Sequence, residues 1–178
     1  MTHTPAQLSA LDSEQALRLA RETFDIESAA ILGVRQRLGP AFLDAVRKML
    51  AVTGRVVVMG MGKSGHIGRK MAATLASTGT PALFVHAGEA IHGDLGMVKS
   101  DDLVVAISNS GESQELSTIL PLLKRLGTPV IAMTGQPGST LARHADIVLD
   151  CSVAKEACPL NLAPPASSIA QLAMGDAL

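Results

Sequence analysis

Val56–Val57–Val58–Met59–Gly60–Met61–Gly62–Lys63–Ser64–Gly65 changes character halfway along. The β-branched run reads as a buried strand, the glycines allow a tight turn, and a helical pattern follows. Val104–Val105–Ala106–Ile107–Ser108–Asn109–Ser110–Gly111–Glu112–Ser113 repeats the transition. Parallel strands bring such turns together at their carboxyl ends. Two neighbouring turns rich in hydroxyls and backbone N–H groups, each opening a helix, suit a phosphate held between helix N-termini. The expected ligand is a phosphorylated small molecule.

Working outward, the pattern predicts strands over 55–59, 82–86, 103–107, 130–134 and 147–151, and helices over 64–77, 89–95, 112–126, 139–144 and from Pro165 onward. Gly79–Thr80–Pro81 and Gly127–Thr128–Pro129 each part a helix from the next strand. Near-continuous apolar strands belong in a parallel sheet covered on both faces. The fold class is therefore α/β: an open five-stranded parallel sheet with helices on both faces, Rossmann-like rather than a barrel. Residues 1–53 form N-terminal helices ahead of a ligand-binding domain over 54–178.

The first of those helices is expected from Ser13, as N-cap, to Leu38, with Gly39–Pro40 as its stop; a second covers 42–52 and ends at Gly54. Leu17, Phe24, Ile31 and Leu38 recur every seven residues, with Ala20 and Val34 widening the stripe. Such a stripe serves either the core or a contact between copies. A long helix ahead of the first strand has no obvious slot in a doubly wound sheet, which points to a homo-oligomer.

Composition narrows the functional classes. With 47% apolar and 17% charged residues in 178, the chain carries enough material for one packed core. Aromatic residues make up 2%, with no Trp or Tyr, and the net charge is −1, so neither base stacking nor charge favours nucleic acid. No membrane partner is expected, since no apolar run approaches the length of a span. The opening Met1–Thr2–His3–Thr4–Pro5, followed by Asp12, Glu14 and Arg18, lacks a signal-peptide pattern. Cys151 and Cys158, seven residues apart, match no usual zinc or redox spacing. Two free thiols fit a cytoplasmic location. No cofactor and no metal are expected, because His66, His86 and His92 lack a compact ligand spacing.

Gly60–Met61–Gly62–Lys63–Ser64–Gly65 is also a formal dinucleotide fingerprint. That fingerprint expects an acidic residue at the end of the second strand, where Phe84–Val85–His86 stands, with Glu89 arriving late. A Walker A loop fails because Val57 occupies the place of its first Gly. In the second turn an ordinary helix N-cap needs one of Ser108, Ser110 and Ser113, not all three.

Taken with His66–Ile67–Gly68–Arg69–Lys70, Ala76–Ser77–Thr78–Gly79–Thr80–Pro81 and Gly88–Glu89–Ala90–Ile91–His92–Gly93–Asp94–Leu95–Gly96–Met97, these turns strongly resemble the sugar isomerase (SIS) domain. Val153–Ala154–Lys155–Glu156–Ala157–Cys158–Pro159–Leu160 and Met174–Gly175–Asp176–Ala177–Leu178 extend the resemblance from about residue 54 to 178. Within the family it points to interconversion of D-ribulose 5-phosphate and D-arabinose 5-phosphate, for the Kdo sugar of lipopolysaccharide. The resemblance implies a sugar-phosphate substrate bound by Ser64, Ser108, Asn109, Ser110 and Ser113, and an active site drawing on Lys63, His92, Glu115 and Glu156. It also implies a homo-oligomer, with a tetramer suspected.

An aldose–ketose isomerase of this kind moves a proton between adjacent carbons through an enediolate. Glu156 is the favoured base because its loop follows the last strand, and Glu115 is the alternative; Lys63 at the tip of the first turn would stabilise the developing oxyanion. Family members continue to a further active-site His and a paired CBS module. Pro165 and Ile169 stand where relatives usually carry Thr, removing two hydroxyls near the site. The rival readings are a non-catalytic sugar-phosphate sensor and, less favoured, a nicotinamide-binding domain.

Overall fold

The computed structural model describes residues 12–160 and 162–178. The opening Met1–Thr2–His3–Thr4–Pro5 and Asn161 lie outside the described residues.

Helix α1 (Ser13–Gln36) is capped by Asp12, not Ser13: the Asp12 carboxylate accepts from the Glu14 and Gln15 amides. Ser13 is already helical, because Asp12 supplies an ionised acceptor one residue earlier. Helix α2 (Pro40–Leu50) starts with its Pro at the first turn, where a missing N–H costs nothing. The sheet follows as β1 (Val56–Gly60), α3 (Gly62–Ser77), β2 (Ala82–His86), α4 (Ala87–Ile91), a 3₁₀ turn (Asp94–Met97) and β3 (Leu103–Ile107). It continues through α5 (Gln114–Leu126), β4 (Val130–Thr134), α6 (Thr140–His144), β5 (Ile147–Asp150) and α7 (Pro165–Ala177). The expected single helix over 89–95 is thus replaced by two pieces. Gly93 adopts φ +139, which breaks the helical path between them.

All strand pairs are parallel in the order β2-β1-β3-β4-β5. Side chains alternate across the sheet. Val56, Val58, Val105, Ile107, Ile131 and Met133 pack under α1, α2, α3 and α7. On the other face Val57, Met59, Val104, Ala106 and Ala132 pack under α4, α5 and α6. Strands β1, β3 and β4 are buried along their whole length, which explains their unbroken apolar character.

The heptad positions of the N-terminal stripe do not face this core; of the two residues that widen it, Ala20 is exposed and only Val34 is buried, and Leu38 lies beyond the end of α1. Leu17, Phe24, Ile31 and Leu38 are exposed, Phe24 to 72%, while Ala30 and Val34 are the residues of α1 that are buried. Helix α1 packs against α7, and Val34 shares a core cluster with Ala170 and Met174, leaving the larger residues of the stripe outside.

Candidate functional site

Strand order reverses at the β1–β3 pair: the chain leaves β1 toward β2 on one side and β3 toward β4 on the other. In an open α/β sheet the crevice outside the carboxyl ends at that point is where ligands bind. Register sets Gly60 beside His86 on one flank and Ile107 on the other, so the loops after β1, β2 and β3 leave at one level.

The first turn is built by glycine packing. Gly62 has φ +51. A Cβ on Gly60 would lie 2.9 Å from the Ser64 carbonyl oxygen, and one on Gly68 would lie 3.0 Å from the Phe84 ring. Helix α3 can therefore sit close against β1 and β2, with Lys63 and Ser64 in its first turn. Phe84 is in turn covered by the Arg69 guanidinium, 4.3 Å from the ring centre. The spacing that mimics a dinucleotide fingerprint thus serves close helix–strand contact. Strand β2 ends in His86, and Glu89 is an exposed residue of α4.

The second turn is pinned to its neighbour. The Asn109 carbonyl accepts from the Gly135 amide at 3.0 Å, and the Gly111 carbonyl from the Leu141 amide at 2.9 Å. Glu112 accepts from the Thr140 amide at 2.8 Å, and hydrogen bonding from the Thr140 side chain and amide holds its carboxyl below the usual range. Within the turn, Ser108 is buried and its Oγ accepts from the Gly111 amide at 3.1 Å. Ser110 is exposed and accepts from the Glu112 amide. Ser113 is the N-cap of α5: its Oγ accepts from the Leu116 amide and donates to Glu115 Oε2 at 2.6 Å. That hydrogen bond, with one from the Glu115 amide, holds the Glu115 carboxyl below the ordinary value; the charge of His86 acts in the same direction. The first amides of α5 lack main-chain acceptors within the helix.

Helix α7 joins the two carboxyl-end features that lie farthest apart in sequence. The Glu156 carboxylate accepts from the Ala166 amide at 2.8 Å and the Ser167 amide at 3.3 Å, capping α7. One turn on, buried Gln171 accepts from Ser64 Oγ at 3.2 Å. A chain of contacts therefore runs from the loop after β5, through α7, into the first turn of α3. Helix α7 begins at Pro165 despite the lost hydroxyl, since Glu156 provides the cap that a side chain at the helix start would otherwise give.

Of the expected site residues, Ser64 is tied to α7, Ser108, Ser110 and Ser113 shape one turn, Asn109 is exposed on it, and Glu115 and Glu156 are held as anchored carboxylates. Lys63 and His92 are exposed, and among the described residues neither makes a hydrogen bond or ion pair to those carboxylates. Also among the described residues, two buried polar atoms lack a partner, His86 Nδ1 and Ser167 Oγ. Both belong to segments on the carboxyl side of the sheet. Gln171 was invisible to motif reading; its signal is a lone amide among the Ala and Met residues of the last helix. Among the described residues no group of three or more His, Cys, Asp or Glu is placed to hold a metal, and no helix is long and apolar enough to cross a membrane.

Comparison with known proteins agrees with this geometry. The SIS domain family matches residues 49–178. The chain is 56% identical over all 178 residues to the arabinose 5-phosphate isomerase KdsD of Escherichia coli K12, of which it covers 53%. It spans about half the length of the curated relatives it matches. Among solved structures it resembles c3406 of E. coli CFT073 in complex with A5P (TM-score 0.90, 42% identity, covering 94% of this chain and 89% of that one). A putative sugar-phosphate isomerase of Listeria monocytogenes is similar as well (TM-score 0.90, 32% identity, 94% and 88%). The glycine-packed first turn, the serine turn beside it and the sheet that juxtaposes them belong to a chain that is a member of the SIS domain family.

Proposed function

We propose that the crevice at the β1–β3 switch point binds a pentose 5-phosphate, and that the chain is the catalytic domain of an isomerase interconverting D-ribulose 5-phosphate and D-arabinose 5-phosphate. The observation that carries this reading is the meeting of two serine-bearing helix starts, α3 and α5, at one level of the sheet. Backbone amides and hydroxyls there suit a phosphate monoester, and each helix end contributes about 0.3–1 kcal/mol to a nearby anion when exposed. The names of the relatives and the A5P complex of c3406 support the substrate. The product would serve synthesis of the Kdo sugar in the cytoplasm, and a homo-oligomer, with a tetramer as the working assembly, would form through the exposed stripe of α1.

Two carboxylates compete for the role of base. Glu115 is engaged by the Ser113 hydroxyl, which lowers its proton affinity. Glu156 is oriented by two backbone amides at the start of α7, in the loop that follows β5 on the carboxyl side of the sheet. We therefore assign the base to Glu156, with Lys63 stabilising the enediolate oxygen and His92 and Glu115 as polar groups of the same site. Ser64, Ser108, Asn109, Ser110 and Ser113 take the phosphate, directly or by shaping its cradle.

Calorimetric titration with D-arabinose 5-phosphate, alongside an isomerisation assay, tests the reading. Losing a hydrogen bond to a charged group weakens binding by about 1.5–3 kcal/mol, so Ser110→Ala is expected to bind at least tenfold more weakly. Unchanged affinity in Ser110→Ala and Ser113→Ala together removes the phosphate role.

A further inference from the structure

Helix α1 reaches the loop that carries Glu156 at two points. At the helix end, Arg37 donates through Nη2 to the Ser152 carbonyl and pairs through Nε with Asp150 Oδ2 at 3.1 Å. The other Asp150 oxygen accepts from the Ser152 amide at 2.8 Å, so one guanidinium fixes the exit of β5. Further up the helix, Glu22 pairs with Lys155, the neighbour of Glu156, at 3.3 Å.

Between these points Val153 is half-buried against the core cluster to which Val34 of α1 belongs, and the rest of the loop leaves open volume beside the helix. A cavity of about 380 Å³ separates α1 from residues 152–155, and another of about 450 Å³ separates it from residues 155–159. Polar straps at both ends, with Val153 as the apolar contact between them, therefore set the height of this loop above α1. The family match begins at residue 49, after α1, whereas the similarity to KdsD extends over α1 as well.

We propose that α1 positions the base of the reaction, and that Arg37 is the positioning residue: by fixing Asp150 and Ser152 it holds Glu156 against the first amides of α7. The mechanistic half of this inference rests on the assignment of Glu156 under the proposed function; the structural half does not. Exposed ion pairs contribute little, which fits a secondary role for Glu22–Lys155. Arg37 differs because its fork engages a carboxylate and a main-chain carbonyl at once, constraining the backbone and not merely a side chain.

The experiment compares the wild-type chain with Arg37→Ala and Arg37→Lys. Amide hydrogen exchange at Ala166 and Ser167, the partners of Glu156, reads its placement without any reference to activity. Removing the fork is expected to speed exchange at these two amides about tenfold, with β1 and β3 amides unchanged, and Arg37→Lys is expected to fall between. In the isomerisation assay Arg37→Ala is expected to lower kcat about tenfold while affinity for D-arabinose 5-phosphate, by calorimetry, stays within about twofold. Unchanged exchange at Ala166 and Ser167 overturns the proposal, as does a loss of affinity that matches the loss of kcat. If neither the wild-type chain nor a version extended at its C-terminus shows isomerisation, the functional reading fails by itself, and the exchange result still decides whether Arg37 places Glu156.

Discussion

Replacing Gly111 with Ala probes the serine turn at its tightest point. Gly111 has φ +65, and a Cβ there would lie 1.9 Å from Ser139 Oγ and 2.4 Å from Ser139 Cβ. The left-handed conformation costs a residue with a Cβ about 1–2 kcal/mol. Forcing the new methyl against a buried side chain adds about 1–3 kcal/mol. Gly111→Ala is therefore expected to destabilise the chain by about 2–5 kcal/mol. Ser139→Gly removes both clashing atoms; it also removes the cap that Oγ gives to the Ala142 amide, but glycine at an N-cap costs only a few tenths. The double variant should thus be more stable than Gly111→Ala alone by about 1–3 kcal/mol, leaving the backbone strain and the tight approach to Thr134 Oγ1 at 3.0 Å. Urea unfolding followed by far-ultraviolet circular dichroism measures all three variants, since the chain has no Trp or Tyr to report by fluorescence. If Ser139→Gly merely adds its own small cost to Gly111→Ala, the contact between the serine turn and α6 is not what the glycine accommodates, and the reasoning is refuted.

Three further outcomes are expected. Glu156→Gln keeps affinity for D-arabinose 5-phosphate while turnover falls by about two to four orders of magnitude, and exchange of substrate hydrogen with deuterated solvent disappears with it; persistent exchange transfers the base to Glu115. Asp102 lies buried between the Arg55 and Lys99 amides and the Arg55 side chain; burial raises its pKa, and these hydrogen bonds outweigh it to set the carboxyl below its usual value. Its contribution to stability is fully present above the unfolded value near pH ~3.9 and is lost as pH falls through the lower folded value, so Asp102→Asn is expected to be less stable than wild type by about 2 kcal/mol at pH 7, with the gap narrowing on acidification below pH ~4 in urea titrations. Phe24→Glu with Ile31→Glu is expected to leave the fold intact, as both residues are exposed, and to lower the sedimentation coefficient; a wild-type chain that already sediments as a monomer at high concentration ends the oligomer reading.

Much of the sheet was readable because buried parallel strands carry a signal that survives without context. Polar–apolar alternation is unnecessary when both faces are covered, and 82–86, 103–107 and 130–134 coincide with the observed strands. Boundaries slipped where a side chain from elsewhere, or one backbone angle, decided them. Asp12 displaced Ser13 as the cap, and Gly93 split the helix expected over 89–95. The stripe Leu17, Phe24, Ile31 and Leu38 was regular enough to see, but periodicity carries no information on which face meets the core; that place went to Ala30 and to Val34 at the margin of the stripe. In the site, the serines were legible as a turn motif. Gln171 and Arg37 were not, because each acts on a segment more than a hundred residues away, at separations of 107 and 115, and nothing local marks them.

The bond between Ser64 and Gln171 has a further consequence for how the molecule comes into being. It closes 107 residues of chain, for which the entropy of loop closure is about 4 kcal/mol, whereas β1 and α3 meet across a single turn. Sheet and flanking helices can assemble from such short closures, but the last helix must dock before Glu156 finds its amides and Ser64 its acceptor. During refolding, secondary structure should therefore return ahead of ligand affinity. A sample taken early would contain the sheet and its two serine turns without the Glu156 and Ser64 contacts of the last helix, so ligand affinity followed against refolding time checks this order.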